Sequence, residues 1–356
     1  IGSITGIGFA LSTGGVGSIF WMWVSSFFAM GIKYAETYIC VKYKNGKYGG
    51  AMYALKNMGY KKIALFFAFI TLLASFGGGN SAQSGAMAEA FSGIGVSPLI
   101  TAIVSALLLS SILFGGKDRI VKVNSVLVPL STVLYVFGTL FILFKSHSEI
   151  PDAFRMIICD AFGIKQLSGG VSAFAFARAL RVGTVRGVFS HEAGMGSSPI
   201  AHSSVENAIP EKQGLFAVAE IYVDTFLVGT LTALCLICNR SFSVSELFLQ
   251  WFGKCGGGIF SVFMAVFAVS ATLSWCYYSE GCLKFLFGDS KKSFGIYKII
   301  AIASFSLGCV VPMSFSMGMS DILNCLMTYP ILFLLFIKRK EICNNGKKGE
   351  KALGVE

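Results

Sequence analysis

The sequence predicts an all-α polytopic membrane protein, and three observations predict it. Of 356 residues, 54% are apolar and only 13% charged, where a soluble domain carries ~25% charged residues; mean hydropathy is +0.71. Apolar runs of about 20 residues, the length that crosses ~30 Å of hydrocarbon, recur along nearly the whole chain. The 29 basic residues divide unevenly between alternate sides of those runs, as cytoplasmic loops rich in Lys and Arg require.

Taken in order, a short helix is expected at 3–13. Full spans follow at 16–34, 63–90, 98–114, 126–144, 169–188, 214–238, 257–278, 294–312 and 317–337. The run at 63–90 exceeds one bilayer crossing and has to tilt or protrude. With this span set, 24 basic residues lie on one side and five (Lys145, Arg155, Lys165, Arg240, Lys254) on the other. The C-terminus is therefore expected in the cytoplasm, in the plasma membrane of a bacterial or archaeal cell, the cell inner membrane where there are two. One transmembrane domain is expected over 1–340, a half-helix plus nine spans, with a basic tail at 341–356.

The net charge of +11 does not point to nucleic acid, because the basic residues sit in short clusters between apolar runs. No nucleic-acid partner is expected; the lipid bilayer is. The ten cysteines are scattered through apolar runs, and Cys235-x-x-Cys238 lacks a second pair, so they read as small buried hydrophobes. The opening Ile1-Gly2-Ser3-Ile4-Thr5-Gly6 has no basic n-region and no cleavage site. An apolar, glycine-dotted opening reads as a chain that begins inside a helix, its true N-terminus missing.

Two helices are interrupted by glycine: Gly2, Gly6 and Gly8 in the first, Gly169 and Gly170 in the span at 169–188. Paired broken helices mark a transporter's midplane site, where unwound backbone offers N–H and C=O groups; small residues that let helices pack closely are the other reading. Polar groups within spans need a reason. Asn80, Gln83 and Ser84 fall at i, i+3 and i+4 on one helical face, which either bonds between helices or lines a polar cavity. Asp224, mid-span, is a cation or proton site or a structural acid. Ser270-Ala271-Thr272-Leu273-Ser274-Trp275 offers the hard oxygens a small alkali cation prefers, and Trp275 either covers an apolar substrate group or anchors an interface. Asp321 and Asn324 lie one turn apart. Ser190-His191-Glu192 invites a hydrolase reading, but adjacency supplies neither an activated nucleophile nor an oxyanion site, and no enzyme is expected. A gating loop held by Arg186 and Glu192 fits the topology.

The run Arg186-Gly187-Val188-Phe189-Ser190-His191-Glu192-Ala193-Gly194-Met195-Gly196-Ser197-Ser198-Pro199-Ile200-Ala201-His202 resembles the R-G-x-F-S-N-E-A-G-x-G-S-x-P-I-A-H signature of the alanine or glycine:cation symporters, within the amino acid, polyamine and organocation superfamily. The resemblance runs over almost the whole chain. Gly14-Gly15-Val16-Gly17 with Phe20-Trp21-Met22-Trp23, Lys33-Tyr34-Ala35-Glu36, Gly49-Gly50-Ala51-Met52-Tyr53, Asp224-Thr225 and Asp321-Ile322-Leu323-Asn324 are similar to further motifs of that family.

What the resemblance implies is a leucine-transporter-like inverted-repeat fold, N-terminally truncated with half of the first helix missing, that imports alanine or glycine with sodium by alternating access. It implies substrate contacts at Gly2, Ser3, Gln83, Gly169, Gly170, Val171 and Trp275, cation contacts at Ser270 and Ala271, and no cofactor beyond sodium as the coupling ion. The chain departs from the family at Ser3, Gly85 and His191, each an Asn there, at Val171, an aromatic there, and at Ala271, a hydroxyl residue there. Loss of the Ala271 hydroxyl removes one expected sodium ligand, and Val171 opens the pocket toward a slightly larger amino acid. A proton-coupled or otherwise diverged small amino acid permease, or a non-transporting sensor, are the alternatives.

Overall fold

The computed structural model describes residues 2–46, 48–115, 117–163 and 170–352, with the side chains of 117–124, 127, 170–172 and 345–352 set aside. Thirteen helices are named here among the described residues, α1 Thr5–Gly14, α2 Ser18–Lys42, α3 Ala51–Asn57, α4 Lys61–Ser92, α5 Pro98–Leu113, α6 Lys117–Lys145, α7 Ile150–Ala161, α8 Gly170–His191, α9 Ser198–Ser203, α10 Pro210–Cys238, α11 Val244–Phe287, α12 Lys291–Gly308 and α13 Met313–Ala352. The expected half-helix falls on α1, and the nine expected spans fall on α2, α4, α5, α6, α8, α10, α11, α12 and α13. Among the described residues, five segments are long and apolar enough to cross a membrane: α4, the 128–145 part of α6, α10, α11 and the 313–344 part of α13.

Helix starts follow local chemistry. Ser97 precedes Pro98, and its hydroxyl accepts from the Ile100 N–H at 3.3 Å; Ser243 and Ser290 do the same for α11 and α12. A side-chain oxygen at this position satisfies a donor that the first helical turn leaves open. The outer faces are the reverse of a soluble protein's: on α6, Leu130, Val133, Phe137, Phe141 and Phe144 are exposed, as lipid requires. Helices α3, α7 and α9 were not among the expected spans. Each is too short to cross, and α7 lays only Ala153, Ile157 and Ala161 against the body.

Two packing groups form. Helix α2 lies along α8 and α10, with α1 against α8; Gly183 of α8 approaches α2 most tightly, since a methyl there would come 2.2 Å from the Ser18 carbonyl oxygen. Helix α11 lies along α4, α12 and α6, and α13 also packs on α4.

The long run at 63–90 is one helix with a π-type turn at Ser75–Ser81. Of the two readings of the Asn80, Gln83 and Ser84 face, Asn80 takes the bond between helices. Asn80 is directed at α12, 2.9 Å from the Ser304 hydroxyl, while the Gln83 amide donates back to the Gly78 carbonyl at 3.0 Å. Ser84 meets the same helix, α12, where a methyl on Gly308 would come 2.2 Å from its hydroxyl. A second π-type turn, Tyr222–Gly229, interrupts α10 and carries Asp224.

Candidate functional site

The site is built where both π-type turns meet their neighbours. Thr272 of α11 donates to the Gly79 carbonyl of α4 at 2.9 Å, and Trp275 packs against Gly79, where a methyl would come 2.5 Å from its Cγ. Trp275 is 3% exposed, so of its two readings the lipid-interface anchor is excluded. Gln83 is buried, and its Oε1 has no partner. A buried amide oxygen left unbonded costs about 1–3 kcal/mol, which marks it as a place for a donor from outside the protein.

The start of α1 converges on this seam. Ser3 and Phe267 of α11 line one cavity of about 560 Å³ with Asp224 and Glu220. Thr5 and Phe9 line another, of about 160 Å³, with Ala86 and Glu89, one and two turns beyond Gln83. Ser270 and Ala271, one turn beyond Phe267, stand on the same stretch of α11. Ser270 is buried, and its carbonyl accepts from the Ser274 hydroxyl at 3.1 Å. Thr272 and Ser274 thus donate their protons to helix carbonyls and keep oxygen lone pairs for a hard cation. Gly169 lies outside the described residues; Gly170 and Val171 open α8, and their side chains lie outside them too.

Asp224 is tied to the other end of α8. The Ser190 hydroxyl donates to Asp224 Oδ2 at 2.5 Å, and Gly2 packs against Ser190, where a methyl would come 2.7 Å from its Cα. Ser190 therefore bonds to an acid on α10 and not to the adjacent His191, whose Nδ1 accepts from the Ala193 N–H at 3.1 Å. The arrangement lacks the Ser–His contact a hydrolase needs.

Arg186 and Glu192 do separate work. Arg186, buried, bonds to Asp321 of α13 and sits 5.3 Å from the centroids of both Phe9 and Phe189. It fastens α1, α8 and α13 together. Glu192, in the loop after α8, accepts from the Trp275 indole N–H at 3.2 Å and from the Ser197 hydroxyl at 2.5 Å. Burial, opposed by the Lys33 charge and these two bonds, holds its carboxyl above the usual range. The same loop is held to α2 at two points: Lys33 donates to the His191 carbonyl at 2.9 Å, and Glu36 accepts from the Gly196 N–H at 3.1 Å. At its far end His202 donates from both ring nitrogens, to Gln213 at 2.7 Å and to Glu220 at 3.0 Å. Sequence reading missed Gly79, Phe267 and Ser190 as site residues. A glycine inside an apolar run or a lone serine carries no signal of what crosses above it.

Compared with known proteins, the chain matches the sodium:alanine symporter family over residues 1–351. It is 35% identical to an uncharacterized transporter of Haemophilus influenzae over 97% of this chain and 79% of that one. It is 35% identical to a sodium/alanine symporter of Methanococcus maripaludis, covering 94% of this chain and 78% of the relative. A probable sodium/glutamine symporter of Bacillus subtilis is 31% identical, with coverages of 96% and 73%.

Proposed function

Because this chain belongs to the sodium:alanine symporter family, a family of multi-pass membrane transporters and not enzymes, we propose that it imports a small neutral amino acid, alanine or glycine, together with sodium. The observation that carries the substrate reading is the α4–α11 seam. Gln83 Oε1 is a buried acceptor without a donor, suited to an amino acid's ammonium. Trp275 closes directly on Gly79 beside it. The unwound start of α1 at Gly2 and Ser3 supplies backbone groups for the carboxylate. Ser270, with the carbonyls of its turn, is the proposed sodium site.

The packing supports alternating access. The α1, α2, α8 and α10 group and the α4, α11, α12 and α13 group are joined by bonds that include Arg186–Asp321, Glu192–Trp275 and Lys42–Glu341. This pairing supports a leucine-transporter-like inverted-repeat fold with one transport domain, a cytoplasmic C-terminus and a basic tail. A probable glutamine symporter among the relatives and the Val171 position keep a larger substrate as the second reading.

The test is uptake of labelled alanine, glycine and glutamine into proteoliposomes, with and without an inward sodium gradient. Sodium-driven accumulation of alanine or glycine is expected. Equal uptake without sodium would sink the coupling, and glutamine outcompeting both would sink the small substrate.

A further inference from the structure

The loop after α8 borders a third cavity, of about 430 Å³, that reaches from Lys33 to Glu220 and Asp224. We infer that this cavity is a second binding site for a zwitterionic α-amino acid, its carboxylate held by the His191 Nε2–H and the Ser198 hydroxyl and its ammonium by Glu220 and Asp224. The inference rests on the amino-acid transport reading above and adds a station on the path beyond the seam.

The donor half of the site comes from hydrogen-bond accounting. His191 is 5% exposed, and its Nδ1 accepts from the Ala193 N–H. An acceptor nitrogen on a neutral imidazole places the ring proton on the other nitrogen, so Nε2 carries an N–H. That Nε2 has no partner, and neither has the hydroxyl of Ser198, itself 8% exposed. Both residues line the cavity. Two buried donors left unbonded beside one space are costly, and a ligand carboxylate relieves both. Lys33, 1% exposed, bonds to the carbonyl of His191 and adds positive charge on this side.

The acceptor half stands on α10. Glu220 and Asp224 are four residues apart, line the same cavity and each keep lone pairs beyond the bonds from His202 to Glu220 and from Ser190 and Thr225 to Asp224. A bare cation would use these acids and leave the two donors unbonded. A bare anion would use the donors and face two carboxylates. A molecule with both charges a few ångströms apart satisfies both walls. Glu192 and Tyr278 also line this cavity, and Glu192 accepts from Trp275 of the seam, so the second site lies one side chain beyond the first.

The experiment is equilibrium binding of tritiated alanine, glycine and glutamine to the purified full chain in sodium buffer. Two saturable sites per chain are expected for at least one of the three. Ser198→Ala, a small change that leaves the fold intact, is expected to weaken the second site at least tenfold, and Ser198→Ala with His191→Ala to abolish it. Gln83→Ala removes only the first. A single site per chain, whichever variant weakens it, overturns the second site alone. Binding of none of the three amino acids overturns the transport reading and this inference with it.

Discussion

Replacing Gly79 by alanine tests the seam at its tightest point. The new methyl would sit 2.5 Å from Cγ, 2.6 Å from Cβ and 2.8 Å from Cδ2 of Trp275, where carbon atoms ordinarily rest about 3.5–4.0 Å apart. The ring has to retreat by roughly 1 Å. It cannot do so by a rotamer change alone, because Trp275 Cβ is itself one of the clashing atoms; α11 has to shift against α4. The Thr272 bond to the Gly79 carbonyl at 2.9 Å and the Trp275 bond to Glu192 at 3.2 Å both oppose that shift. Overpacking of this kind costs about 1–3 kcal/mol, and losing the indole bond adds about 1 kcal/mol. Alanine regains up to ~1 kcal/mol in helix preference over glycine. The net cost is about 1–3 kcal/mol.

Thermal unfolding of the purified protein, read beside sodium-dependent uptake, measures this. Gly258→Ala and Gly318→Ala are the internal controls, since a methyl at either position meets nothing within 4 Å. Those two are expected to be neutral or slightly stabilising. Gly79→Ala is expected to melt several degrees lower and to lose uptake out of proportion to its expression, because the ring proposed to close the substrate space has moved. Behaviour of Gly79→Ala indistinguishable from the two controls would refute the account of Trp275 as a lid seated on bare backbone.

Asp321→Asn leaves Arg186 buried without its charge partner. Such losses cost about 3–5 kcal/mol when both groups are buried, and less here, about 1–3 kcal/mol, because the Asp321 side chain is 34% exposed. Arg186→Lys is not expected to rescue packing, since an ammonium cannot stack on Phe9 and Phe189 together; an unfolding midpoint for both variants equal to the parent's removes the pair from the fold's supports. His202 carries a pH dependence. Burial, its largest influence, lowers its pKa, but the Glu220 bond and charge and the Gln213 bond outweigh it and leave it raised above 6.5. A raised folded-state pKa gives stability that is fully present below about 6.5 and is lost as pH rises through the folded value. Thermal stability is therefore expected to decline above neutrality in the parent and to stay flatter in His202→Gln, and parallel curves would show that the imidazolium contributes nothing.

Helix positions were open to reading because lipid leaves little choice. A backbone in hydrocarbon must satisfy its own N–H and C=O groups, so each apolar run of sufficient length is a helix whatever its neighbours do. The π-type turns were closed to it. Nothing in Gly77-Gly78-Gly79-Asn80 distinguishes a helix that widens there from one that continues. Pairings were closed for another reason. Arg186 and Asp321 each stood out as charges in or beside spans, yet they are 135 residues apart, and which acid a buried arginine finds is decided by the packing of α8 on α13. His191 shows how far local reading goes. Its departure from the expected Asn was visible, but its consequence depends on the Ala193 N–H that takes one ring nitrogen and the cavity that receives the other. A substitution at a loop thus became a donor aimed at ligand space only once the fold had assigned both sides of the ring.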